Sequence, residues 1–73
     1  MRINLKDARI RAGLTQQDLS EVLGISTRHY QRIENGESDG TFHIWDTLED
    51  LTGIHQRKLR EILSTHPDQE DSR

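Results

Sequence analysis

The stretch that decides the fold runs Leu14-Thr15-Gln16-Gln17-Asp18-Leu19-Ser20-Glu21-Val22-Leu23-Gly24-Ile25-Ser26-Thr27-Arg28-His29-Tyr30-Gln31-Arg32-Ile33-Glu34-Asn35-Gly36. It reads as two short helices joined by a glycine turn. Thr15 is a good N-cap, and Asp18 follows three residues on, the spacing of a capping box. Leu19, Val22 and Leu23 form an apolar stripe, and Gly24 stops the helix. Ser26 or Thr27 caps the next helix, which turns Tyr30 and Ile33 inward and stops at Asn35-Gly36. Ile25 sits in the turn, placed for burial between the helices. Two short helices about Gly24-Ile25-Ser26 have the layout of a helix-turn-helix.

The second of these helices has two unlike faces. At about 100° per residue from Thr27, Gln31 falls near 40°, Asn35 near 80°, Arg28 near 100° and Arg32 near 140°. Tyr30, near 300°, and Ile33, near 240°, lie on the other side. One arc is hydrogen-bonding and cationic, the other apolar. That suits a helix lying in a DNA major groove with its back on the domain. Arg28 and Arg32 are natural readers of guanine, and Thr27 and Gln31 of adenine or a thymine methyl.

Outward from this pair the signals remain helical, and no alternating β-branched run marks a strand. Leu5, Ala8 and Ala12 share a face of a first helix that Gly13 closes. After a loop at Ser38-Asp39-Gly40-Thr41, the residues Phe42, Trp45, Leu48 and Leu51 recur at spacings of three, up to Gly53. Leu59, Ile62 and Leu63 mark a fifth helix. Residues 64–73, STHPDQEDSR, hold no apolar residue and read as an acidic, disordered tail beyond a domain spanning residues 1–63.

The chain has 73 residues, enough for one small domain with a thin core. Cysteine is absent, which excludes a disulfide framework and a thiolate metal site. No apolar run exceeds two residues, so neither a membrane span nor a secretory leader is expected. Charge is uneven along the chain. Through Gly36 there are six Lys or Arg against four acids, and beyond it four against nine. A polyanion would approach the first part and avoid the second.

The motif LTQQDLSEVLGIS from Leu14, followed by YQRIENG from Tyr30, resembles the Cro/repressor, or XRE-type, helix-turn-helix family. The resemblance extends from about Leu5 to Leu63. It implies an all-α, lambda-repressor-like fold of five short helices, with the helix-turn-helix at helices 2 and 3 and sequence-specific DNA binding by helix 3. By position, Ser26, Thr27, Arg28 and Arg32 are then base-facing, joined by Gln31 from the arc of the helix, and Gln16 and Asn35 meet phosphates. Arg9 and Glu34 match a partly buried ion pair tying helix 1 to the end of helix 3. Three features depart from the family pattern. The loop Glu37-Ser38-Asp39-Gly40 stands where Lys or Arg is common, Gly40 stands where Pro often opens helix 4, and Glu49 replaces a small apolar residue. The acidic loop weakens the counterion-release contribution to DNA affinity and puts tight binding by a monomer in doubt.

His29, His43, His55 and His66 are scattered without metal-ligand spacing. Adjacent acids such as Glu49-Asp50 point apart on a helix, and no glycine-rich phosphate loop follows a strand. No catalytic residue, cofactor, metal or small-molecule substrate is expected, and the chain does not read as an enzyme. The expected partners are double-stranded DNA and either a second copy or a repressor protein, in a bacterial host cytoplasm. The leading reading is a small transcriptional regulator of a phage or mobile-element genetic switch. The chain is also similar in size and type to the modulator-of-repression proteins of temperate phages, which act on a partner repressor. An antitoxin is a weaker alternative.

Overall fold

The computed structural model describes residues 1–62 as five helices in chain order: α1 (Ile3–Arg11), α2 (Gln16–Leu23), α3 (Thr27–Asn35), α4 (Phe42–Thr52) and α5 (Gln56–Leu59). No strand occurs among the described residues. The all-α, lambda-repressor-like expectation therefore stands. Leu63 and the tail assigned to residues 64–73 lie outside the described residues.

Local chemistry sets the helix ends. The Thr15 side chain accepts from the Asp18 backbone N–H at 2.9 Å, and the Asp18 carboxylate accepts from the Thr15 N–H at 2.9 Å, closing the expected capping box. The Thr15 backbone N–H first, and the Thr15 side chain second, hold the Asp18 carboxyl below its ordinary pKa. Of the two candidates for the α3 cap, Ser26 takes the position, accepting from the His29 N–H at 3.0 Å. Gly24 makes the tight turn between α2 and α3 at φ 73°, a left-handed conformation that suits glycine.

The core is one cluster: Leu5 and Ala8 of α1, Leu19 and Leu23 of α2, Tyr30 and Ile33 of α3, Ile44, Trp45 and Leu48 of α4, and Leu59 of α5. Leu14, Ile25 and Ile54 pack against its rim. Full burial of such an aliphatic side chain stabilises by roughly 1.5–3 kcal/mol relative to exposure.

Several residues of the expected apolar stripes face outward instead. Ala12 is exposed at the end of α1. Val22, Phe42, Leu51 and Ile62 are also exposed, Phe42 to 76%. In α4 it is Ile44, not Phe42, that turns inward beside Trp45. A spacing of three lags behind the 3.6-residue turn, so a stripe drawn through four such positions rotates off the buried face. The fifth helix is one turn long and contributes Leu59 alone to the core, with Arg60 as its C-cap.

Arg2 is the element the sequence did not announce. It is 3% exposed and lies under α3 and α4. Its Nη1 donates to the carbonyls of Ile33 at 2.6 Å and Ser38 at 2.7 Å, and its Nε to that of Arg60 at 3.0 Å. Its backbone N–H donates to the Glu34 carbonyl at 2.8 Å. The guanidinium also stacks 5.0 Å from the Trp45 ring centre. One side chain thus ties the end of the third helix, the following loop and the fifth helix together. Burial, opposed by Asp39 and reinforced by Arg60, holds this guanidinium below its ordinary pKa.

Candidate nucleic-acid interface

The candidate site is the outer face of α3 together with the strip of α2 beside it. Arg28, Gln31, Arg32 and Asn35 are exposed, as is Ser26 at the helix start, while Thr27 is half-buried. Tyr30, Ile33 and Glu34 occupy the inward side. The two-faced helix read from the spacing is therefore the geometry found. Among the described residues, the Arg28 and Asn35 side chains make no hydrogen bond or ion pair with the rest of the chain. Arg32 lies 3.8 Å from the Glu37 carboxylate, an open surface pair.

Behind this face sits a buried polar knot. The Glu34 carboxylate, 2% exposed, accepts from Arg9 Nε at 2.9 Å, Tyr30 Oη at 2.7 Å and Gln16 Nε2 at 2.9 Å. A second, longer contact runs from Arg9 Nη2 at 3.4 Å. Arg9 Nη1 donates onward to the Leu14 carbonyl at 2.9 Å. The expected Arg9–Glu34 pair is thus part of a four-residue network joining α1, α2 and α3. Burial lowers the Arg9 pKa, but the hydrogen bond and charge of Glu34 outweigh it, and the guanidinium is held above its ordinary value. Burial and then Glu34 push the Tyr30 hydroxyl well above the usual tyrosine range, so it stays a donor.

The network reaches the outer face through Gln16. Its NH2 group faces a carboxylate, which only accepts, so its carbonyl is turned the other way. That carbonyl accepts from Gln31 Nε2 at 3.2 Å. Gln16, expected at a phosphate, is half-buried and holds an α3 side chain in place. Gln31 keeps its own carbonyl and its second N–H hydrogen for an outside partner.

One turn along α2 lies Ser20, which the sequence reading passed over. It is 2% exposed, donates to the Gln17 carbonyl at 2.7 Å, and lies 3.2 Å from the Thr27 hydroxyl. The available signal was its spacing. Gln16 and Ser20 are four residues apart, so they share the strip of α2 that faces α3.

The structure corrects the cation count. Of the six Lys and Arg up to Gly36, Arg2 and Arg9 are engaged inside the fold. Lys6, Arg11, Arg28 and Arg32 remain exposed or half-exposed to meet a polyanion. In the second part, residues 37–54 hold five carboxylates and no Lys or Arg. Glu49 of that group is half-buried and accepts from Gln56 Nε2 at 3.0 Å, bridging α4 to α5.

A family model described as helix-turn-helix matches residues 5–55. The chain belongs to the XRE-type helix-turn-helix family. No curated protein and no solved structure matches it. As a member of this family the protein is a DNA-binding regulator. The match spans α1 to the end of the α4–α5 turn, which includes the whole of the polar knot and the outer face of α3. Among the described residues of this helix-turn-helix protein, no group of three His, Asp or Glu is placed to hold a metal. No described helix is long and apolar enough to cross a membrane.

Proposed function

We propose that the protein is a transcriptional regulator that recognises a specific DNA sequence with α3 in the major groove. Arg28 and Arg32 read guanine, Gln31 reads adenine through its remaining carbonyl and N–H, and Ser26 and Thr27 contact the bases nearest the helix start. Asn35 meets the phosphate backbone, and Gln16, at the edge of the same face, adds a phosphate contact. The observation that carries the reading is the outer face of α3 itself. Two arginines and a glutamine project from a helix whose other side is locked to the domain by Tyr30, Ile33 and Glu34. With few free cations per copy, tight binding calls for a dimer on two half-sites about one helical turn apart. The resemblance in size and type supports a setting in a phage or mobile-element switch.

The test begins with selection from a randomised duplex library, followed by titration of the enriched site. Arg28→Ala or Arg32→Ala is expected to cost roughly 1–3 kcal/mol and relax preference at one position. Asn35→Ala is expected to weaken all sequences about equally. Wild-type affinity in both arginine variants would overturn the assignment.

A second reading, a modulator that binds a repressor protein, is favoured by a different observation. The cation-free segment 37–54 carries Phe42, exposed on an acidic surface. Such a surface suits a basic protein better than phosphate. A gel shift on the neighbouring intergenic DNA separates the two. A sequence-specific shift by this protein alone supports the regulator. No shift alone, with a changed shift when the adjacent repressor is present, supports the modulator.

A further inference from the structure

We infer that Ser20 is a positioning residue that decides how Thr27 reads DNA, turning Thr27 from a hydrogen-bond donor into an apolar reader of the thymine methyl group. The inference rests on the proposed base reading by α3 and names one contact within it.

A serine hydroxyl has one hydrogen. That of Ser20 points to the Gln17 carbonyl at 2.7 Å, because a carbonyl can only accept. The contact between the Ser20 and Thr27 hydroxyls, at 3.2 Å, must then take its hydrogen from Thr27. Ser20 is 2% exposed, so no water competes for its oxygen. The Thr27 hydroxyl is therefore turned to α2, with its hydrogen engaged there. With the hydroxyl hydrogen engaged, the group the half-buried Thr27 has left for a base is its methyl. In the major groove a methyl discriminates by apolar contact with the C5-methyl of thymine.

The neighbouring hydroxyl has the opposite arrangement. Ser26 accepts from the His29 N–H at 3.0 Å and keeps its own hydrogen. Two adjacent hydroxyl residues on one face thus present different chemistry. Ser26 offers a donor, and Thr27 an apolar group. The difference comes from a side chain on another helix.

The test uses the full chain and a randomised duplex library, with four variants. Thermal unfolding of each confirms that a folded protein is being read. Thr27→Val keeps the methyl and loses the hydroxyl, and the thymine preference is expected to persist. Thr27→Ser keeps the hydroxyl and loses the methyl, and that preference is expected to fall about fourfold, the ratio one methyl group corresponds to. Ser20→Ala frees the Thr27 hydrogen to donate, so guanine or adenine, which present an N7 acceptor in the major groove, is expected to gain at the same position. Ser20→Ala combined with Thr27→Val has no hydroxyl to free and is expected to keep the thymine preference. A merely structural role for Ser20 would lower stability in both Ser20 variants alike and leave the base preference unmoved. The reverse pattern, with Thr27→Ser like wild type and Thr27→Val impaired, would overturn the inference, as would a motif none of the variants alters. A wild-type protein that enriches no sequence would overturn the base-reading function itself, and this inference with it.

Discussion

At the scale of single residues, two charged side chains carry more of the fold than any surface ion pair. Glu34 is buried with three donors aimed at it, from three different helices. Removing one partner of a buried pair strands the other charge, typically at roughly 3–5 kcal/mol. Glu34→Ala is expected to destabilise by that amount, read by denaturant unfolding, whereas loss of the exposed Arg32–Glu37 pair costs about 0–1 kcal/mol. The Arg9–Glu34 pair was legible in the sequence because the two residues stand at the spacing of a known motif. Arg2 was not legible. At the second position of a chain, an arginine next to an apolar residue reads as a solvated charge. Only the fold brings the carbonyls of Ile33, Ser38 and Arg60 to one point around it. Arg2→Met keeps the apolar stem but strands these acceptors. The expected cost is at least about 1–3 kcal/mol, the penalty for one buried group left unpaired, again measured by unfolding.

At the scale of elements, the starts and stops of α2 and α3 were legible because they depend on a few adjacent residues, whereas the fifth helix, expected around Leu59, Ile62 and Leu63, runs Gln56–Leu59. Thr15 and Ser26 each cap the helix that follows through a local hydrogen bond, and Thr41, read only as a loop residue, does the same for α4. Which residue of an apolar stripe turns inward was less so, since it depends on where the neighbouring helix lies. Phe42 illustrates this. It belongs to the α4 pattern, yet Ile44 takes the inward place and Phe42 is left outside. The loop before α4 supplies a test. Gly40 has φ 72°, and a Cβ there would lie 3.0 Å from Trp45 Nε1. That indole donates to the Asp39 carbonyl at 2.8 Å and lies beneath the Arg2 stack. Gly24 has a similar φ of 73° but nothing within 4 Å of its Cβ position. Gly24→Ala is expected to cost about 1–2 kcal/mol, the left-handed penalty alone. Gly40→Ala is expected to cost measurably more, because the indole must also shift. Equal losses in thermal stability would show that the Trp45 contact is slack. The same geometry accounts for glycine in a place where the family often has proline.

At the scale of the whole molecule, charge distribution sets how the protein meets DNA. Two of the six cations in the first part are internal, and an acidic segment follows the reading helix directly. Within the first part this leaves Lys6, Arg11, Arg28 and Arg32 for the proposed phosphate contacts, with Glu37 and Asp39 close by in sequence. Plotting log affinity against log salt is expected to give a slope of about −2 to −4 per bound copy. Titration of the selected site at several salt concentrations, with stoichiometry measured at each, checks this. A much steeper slope per copy would mean that cations beyond these four, Arg2 and Arg9 among them, reach the backbone.

By itself the sequence determined the helical class, the order of the five helices, the helix-turn-helix, the family and the face of α3 that looks outward. Each of these depends on spacing along a short segment: caps, glycine stops and the 3.6-residue turn. The tertiary structure alone decided what lies behind that face. It assigned Arg2 to the interior, removed two cations from the binding ledger and left Phe42 exposed. It also placed Gln16 and Ser20 against the side chains of α3. The physical reason is that hydrogen-bond direction and burial are properties of residues brought together from distant positions. Arg2 and Arg60 are 58 residues apart. The Ser20–Thr27 contact spans only seven residues. It crosses a turn, though, and its sense depends on a third group, the Gln17 carbonyl, that no pattern of side chains reveals.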